Sequence, residues 1–181
     1  MINAVELNGE LATIVIRCWD GTVWRTLVDA DDLARLDETF SSLHVVRPKP
    51  PHRHIYVTGR LVGSGHNPKL VIVHRFLTGC PRGLEVDHIN HDSLDNRKAN
   101  LRVVRHAENM QNLTAAPASA MTGVRGVSQK RHGYRARLNM GGREFHLGTY
   151  ATVEEAARVA TAARARLMPF SEDARRAGML S

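Results

Sequence analysis

Apolar and polar positions change their spacing several times along the chain, and each change predicts an element. Residues 11–17 (LATIVIR) and 23–28 (VWRTLV) are β-branched and strand-like, with Asp20 and Gly21 between them as a strong turn signal, so a hairpin is expected. Residues 29–40 take helical spacing, which places Leu33, Leu36 and Phe40 on one face of a short acidic helix. The RPKPP run at 47–51 cannot be helical and predicts a link or an extended edge. Residues 54–58 (HIYVT) and 69–73 (KLVIV) return to a strand pattern, and His74 starts a short helix that Gly79 and Pro81 end.

A strand ending in Val86, Asp87 and His88 follows, then a polar loop with Asp95, Asn96 and Asn100, then a helix over residues 105–113 that carries Asn109. Residues 114–123 are small, Pro-broken and aperiodic, which predicts a flexible linker. Beyond them, strand-like GVRGVSQ, YRARLNM and REFHLGTY pieces are joined by Gly-containing turns, and an Ala-rich helix spans residues 153–167. The polar tail after Pro169 is expected to be loose. The alternation of short strands with few helices predicts an α+β fold.

Composition narrows the class. Of 181 residues, 43% are hydrophobic and 24% charged, as in a soluble globular protein. No apolar run approaches the roughly 20 residues a membrane span needs. The first residues carry acidic groups where an export signal carries basic ones, so no export is expected. Cys18 and Cys80 are isolated, which argues against a disulfide framework and a cysteine zinc site and for a cytoplasmic location. Charge is unevenly distributed: residues 1–45 carry −5, while residues 46–120 and 121–181 carry +6 each. Two basic segments behind an acidic front point to a polyanionic partner, nucleic acid first.

The segment from Val86 to Asn109 holds the candidate chemistry. Asp87 and Asn109, one from the end of a strand and one from a helix behind it, offer oxygen ligands to a hard divalent cation, which keeps several waters and so needs few protein ligands. Alternation turns His88 to the opposite face of the strand from Asp87. There an imidazole with a pKa near neutrality can take a proton from an attacking water. Asn100, in the loop between strand and helix, can hydrogen-bond backbone groups and hold the loop, and with it the histidine. Each signal alone is weak, because Asp-His pairs and Asn-rich stretches are ordinarily turn and cap residues. Their conjunction points to metal-assisted phosphodiester hydrolysis.

Residues 74–112 resemble the HNH homing-endonuclease group. The matching pieces are His74-Arg75, the loop from Pro81 to Gly83, Val86-Asp87-His88, Asp95-Asn96, Asn100-Leu101-Arg102 and Glu108-Asn109. The resemblance implies a ββα-metal nuclease core with Asp87 and Asn109 as metal ligands, His88 as general base and Asn100 as the loop-positioning residue. It also implies hydrolysis to 5′-phosphate and 3′-hydroxyl ends. Many members have His at the last position where this chain has Asn109, as a phage-type subset does. An amide oxygen is a harder ligand than imidazole and favours Mg²⁺ or Mn²⁺ over Zn²⁺. His91 and His106 are bystanders in this reading, and Arg75 is counted among the DNA-binding residues.

A site of that kind contacts mainly the backbone around one phosphate, so choosing a sequence requires a second surface. Arg125, Lys130, Arg131, Arg135, Arg137 and Arg143 make residues 124–150 a basic antiparallel sheet of the kind that enters a major groove. Alternation sets Arg135 and Arg137 on one face, and Tyr134, Ala136 and Leu138 on the other against the Ala-rich helix. Residues 121–167 resemble the plant APETALA/ethylene-response-factor DNA-binding domain in VRGV at 124–127, YRARL at 134–138, LGTY at 147–150 and EEAA at 154–157. The likeness implies that Arg125, Lys130, Arg135, Arg137 and Arg143 face DNA from a small three-stranded antiparallel sheet packed on one helix. Its first turn is shortened and its second strand lacks aromatic and acidic residues that many members carry, so no base preference is transferred.

The expected organisation is an acidic hairpin and helix at 1–45 with no assigned chemistry, a nuclease domain at 46–113, a linker at 114–123, a DNA-binding domain at 124–168 and a tail at 169–181. The expected activity is a site-directed DNA endonuclease of a homing or mobile element, acting on double-stranded DNA in the cytoplasm, that of a bacterial host if the gene is phage-derived. No membrane and no protein partner is expected. The alternatives are a DNA-binding regulator without catalysis and an RNA- or structure-specific nuclease, the latter disfavoured because the RNA major groove is too narrow to read.

Overall fold

The computed structural model describes residues 3–47, 55–65, 68–114, 116 and 120–179. Most of the expected RPKPP link, the start of the strand expected at 54–58, and linker positions 115 and 117–119 lie outside the described residues. The chain divides into two compact units, Met1–Val104 and Arg105–Ser181. Both are built from small antiparallel sheets and short helices, an α+β composition. Among the described residues no helix is long and apolar enough to cross a membrane.

In the first unit the expected hairpin gains a further strand. β1 (Ala4–Asn8), β2 (Leu11–Arg17) and β3 (Val23–Asp29) form an antiparallel meander in which Ile14 faces Thr26 and Ile16 faces Trp24. The side chains of Ala12, Ile14, Ile16 and Val28 alternate inward into the core. The helix predicted over 29–40 starts as a 3-10 turn at Ala30–Asp32 and continues as α1 (Leu33–Thr39). Phe40, expected on that helix, instead opens β4 (Phe40–Val46), which pairs with β5 (Tyr56–Leu61) and through it with β6 (Leu70–Ile72). Ladder pairing and full burial of the Phe40 ring outweigh a further helical turn.

Gly59 on β5 lies under that ring: a Cβ there would sit 2.3 Å from Phe40. Helix α2 (Val73–Thr78) ends at Gly79, whose φ of +59° is the left-handed cap glycine adopts without strain. Phe76 meets Phe40 edge-on at 4.9 Å, and the Arg35 guanidinium lies 4.3 Å over Phe76 while donating to its carbonyl at 3.0 Å. One core joins Ala12, Ile14, Ile16, Val28, Leu36, Phe40 and Leu43 to Val57, Val73 and Leu77. The boundary expected at residues 45/46 therefore falls inside β4 and inside a shared core, so residues 1–45 are not a separate segment. The same unit ends in a two-stranded ladder, β7 (Glu85–His88) and β8 (Leu101–Val104).

The second unit begins with α3 (His106–Asn109) and a 3-10 turn, Met110–Asn112. The helix expected over 105–113 is thus shorter: asparagines at 109 and 112 are weak helix formers, and Glu108 caps only the first turn by accepting from Arg105 N at 2.7 Å. β9 (Val127–Lys130), β10 (Gly133–Met140) and β11 (Arg143–Tyr150) form an antiparallel sheet with β10 central. Its inner face packs on α4 (Val153–Leu167), where Ala136, Ala156 and Ala160 are fully buried. Small side chains let helix and sheet approach closely, and Thr152 caps α4 by accepting from Glu155 N at 3.2 Å. The tail is ordered where it was expected to be loose. Helix α5 (Glu172–Arg176) buries Ala174 completely, and Asp173 pairs with the buried Arg164 of α4.

Candidate active site

Strand period places the two central candidates of the first unit. Asp87 and His88 end β7 with both side chains buried, 7% exposed each, and successive positions point to opposite faces. Asp87 lies opposite Arg102 on β8, whose guanidinium donates to Asp87 Oδ2 through Nε at 2.8 Å and Nη2 at 2.7 Å. His88 meets His74 of α2 edge-on at 5.1 Å, and His74 in turn meets Tyr56 at 5.3 Å. His88 Nε2 lies 3.3 Å from Asn96 Oδ1.

Burial sets the charge of both imidazoles. It pushes His74 down to about 3, helped by the positive fields of His88 and Arg75, and His74 Nδ1 has no hydrogen-bond partner among the described residues. Burial also lowers His88, against the upward pull of Asn96 and of the Asp87, Asp92 and Asp95 carboxylates. A histidine lowered in this way is neutral near pH 7 and able to accept a proton.

The loop after His88 is closed by side chains. Asn100, at the end of the 3-10 turn Lys98–Asn100, accepts from Asn90 N at 2.9 Å and donates to Asp95 O at 2.8 Å, while its own carbonyl accepts from Ile89 N at 2.9 Å. Burial raises the Asp95 carboxyl, but hydrogen bonds from Arg97 and from Asn90 outweigh it and hold the group below the usual carboxylate range. Arg97 reaches both Asp95 oxygens at 2.6 Å.

This loop rests on the N-terminal sheet, a contact that no local sequence signal announces. Leu27 N donates to Leu94 O at 2.9 Å, and Asn96 N to Leu27 O at 2.8 Å. Thr26 Oγ1 donates to Leu94 O at 2.7 Å, and Asn96 Nδ2 donates to Thr26 Oγ1 at 2.8 Å. Asp29, Asp31 and Asp32 cluster closely enough to suggest a cation site. Lys98 fills that cluster: its backbone N–H reaches Asp29 at 2.7 Å, and its ammonium reaches Asp31 at 2.8 Å and Asp32 at 3.3 Å. The acidic front of the chain thus neutralises a lysine of the loop.

Other candidates are placed differently from expectation. Arg75 donates to the carbonyls of Leu84 at 2.9 Å, Pro81 at 3.0 Å and Cys80 at 3.4 Å, so its fork shapes the loop that leads into β7. Asn109 is the last residue of α3, in the second unit. His91 sits in the loop with φ +66°, and His106 is the first residue of α3.

The basic residues of the second unit divide by register. Arg135 pairs with Ser128 and Thr149 across the sheet, and Arg137 with His146, on the face away from α4. Lys130, two residues beyond Ser128, shares that face. Glu144 bridges Arg135 at 2.8 Å and Arg137 at 2.7 Å, and the Arg137 hydrogen bond is the main cause that holds its carboxyl below the usual range. Arg143 lies opposite Met140, on the side shared by Leu138 and Ala136, so the pleat separates it from Arg135 and Arg137. Arg125 is half-buried and donates to the carbonyls of Met110, Gln111 and Leu113; burial lowers its guanidinium from the usual range.

Comparison with known families gives one match: residues 70–111 match the HNH endonuclease family. That segment runs from β6 to the 3-10 turn after α3 and includes Asp87, His88, Asn100 and Asn109. No curated protein and no solved structure matches the chain. The match supports a nuclease that acts on DNA, a hydrolase at that general level.

Proposed function

We propose that the chain is a metal-dependent DNA endonuclease in which Asp87 and Asn109 hold one divalent cation, His88 is the general base and Asn100 holds the loop that positions it. The observation that carries the reading is the buried Asp87-His88 pair at the end of β7, followed by a loop that Asn100 closes and lying within the HNH-matched segment. The donor chemistry fits the cation: a carboxylate and an amide oxygen are hard ligands of the kind Mg²⁺ and Mn²⁺ take. When bound, such an ion stabilises the charge that builds on phosphorus and on the leaving 3′ oxygen.

The chain's own residues do the rest. Arg102 holds the Asp87 carboxylate by two hydrogen bonds and so fixes its rotamer. His88, neutral through burial, accepts the proton of the attacking water, giving 5′-phosphate and 3′-hydroxyl products. Lys130, Arg135 and Arg137 form the phosphate-facing surface of the second unit, an APETALA/ethylene-response-factor-like DNA-binding domain. Arg143, on the other side of the pleat, stands apart from that surface. Arg75 and Arg125 serve as positioning residues, because their donors are engaged by backbone carbonyls. A homing or phage element is the setting such a pairing suits.

The test is to incubate the full chain with supercoiled DNA plus Mg²⁺ or Mn²⁺, with EDTA as control, beside His88→Ala. Cation-dependent nicking or linearisation that is lost in His88→Ala is expected. Tight, salt-sensitive binding with no cleavage in any condition would replace the nuclease reading with that of a regulator.

A further inference from the structure

Thr26 and Asn96, neither of which the proposed reaction employs, form a hydrogen-bond chain that ends on His88, and elementary chemistry fixes its direction. Thr26 Oγ1 lies 2.7 Å from Leu94 O, and because a carbonyl only accepts, the hydroxyl proton is used there. Oγ1 can then only accept from its other neighbour, Asn96, 2.8 Å away. This turns the Asn96 amide so that Nδ2 faces Thr26 and Oδ1 faces His88 Nε2 at 3.3 Å. An amide oxygen requires a donor, so Nε2 carries the imidazole proton and the lone pair of the neutral ring sits on Nδ1. Thr26 and Asn96 are 0% and 1% exposed, so no bulk water competes for these bonds. The two flanking backbone bonds between Leu27 and residues 94 and 96 hold the arrangement in register.

We propose that Thr26, on the N-terminal sheet, is a positioning residue of the active site: through Asn96 it sets His88 in the Nε2–H tautomer and leaves Nδ1 as the basic nitrogen. The role rests on His88 as the general base. The tautomer is a property of the protein alone and is readable without DNA or cation.

The experiment is a two-bond ¹⁵N–¹H correlation spectrum of the His88 imidazole in the full chain at neutral pH, in wild type, Thr26→Val, Thr26→Ser and Asn96→Ala, paired with cleavage kinetics. The expected result is a single Nε2–H tautomer in wild type and Thr26→Ser, and a mixture in Thr26→Val and Asn96→Ala. Thr26→Val should lower kcat about tenfold with KM changed less than about twofold, and Thr26→Ser should recover most of the loss. An Nδ1–H tautomer in wild type overturns the proposal, and that measurement stands even if Thr26→Val does not fold. An unchanged tautomer in folded Thr26→Val overturns it too. The expected tautomer pattern in a protein that cuts no DNA keeps the relay and overturns the nuclease reading instead.

Discussion

At the scale of single residues, the site is built from polar groups taken out of water and paired. Asn100 carries two of these pairings, and Asn100→Ala would remove the acceptor of the part-buried Asn90 N–H and the donor to the buried Asp95 carbonyl. The expected cost is about 2–4 kcal/mol, read as a lower midpoint in denaturant; a change within about 0.5 kcal/mol would mean that the loop is held elsewhere. His74 makes a pH prediction. Its folded pKa of about 3 lies below the unfolded 6.5, so the unfolded chain binds the extra proton between these values. Stability is therefore complete above about pH 6.5 and falls as pH drops toward 3, with about 2 kcal/mol of the loss present at pH 5. Denaturant unfolding of wild type and His74→Gln at pH 7 and pH 5 checks this, since the variant should lose less between the two.

At the scale of elements, one carboxylate on the sheet of the second unit pairs with two of its arginines. Glu144 occupies Arg135 and Arg137 at once. Glu144→Gln should therefore tighten binding to duplex DNA and steepen its salt dependence by about one unit, whereas replacing Arg135 and Arg137 by Ala should flatten it by about one to two. Titrations at several salt concentrations separate the three proteins; identical slopes would remove this face from the DNA contact. The separation of Arg143 from the two arginines belongs to the same scale, because a two-residue pleat decides which side chains share a surface.

At the scale of the molecule, the N-terminal sheet shares one core with the rest of the first unit, and the loop after His88 rests on that sheet. A chain that begins at residue 46 loses Ala12, Ile14, Ile16, Val28, Leu36, Phe40 and Leu43 from the core, as well as the strand on which residues 94 and 96 rest. At about 1.5–3 kcal/mol for each large apolar side chain, that loss exceeds the net stability of an ordinary domain. Hydrogen exchange of the β7 amides is the readout: exchange at the rate of an unfolded chain is expected, and retained protection would show that residues 1–45 are dispensable to the fold.

The hairpin at residues 11–28 was legible in the sequence because turn chemistry and β-branched alternation act over a few neighbouring residues. The opposite facing of Asp87 and His88, and the burial of Ala136 against an Ala-rich helix, were legible for the same reason: period alone dictates them. Phe40 was misplaced because helical spacing and strand pairing compete at that position, and β5, more than fifteen residues away, settles the competition. The order of the tail rests on Arg164, a partner in another helix, and the polar composition of the tail does not reveal it. Asn96 read as a turn residue and Thr26 as one strand residue among many. Their contact spans 70 positions of the chain. Sequence by itself thus determined which side chains turn inward and which chemical groups stand at the end of β7, because both follow from local geometry. Tertiary structure alone decided what those groups face, because the partners are brought together only when a shared core closes over distant segments.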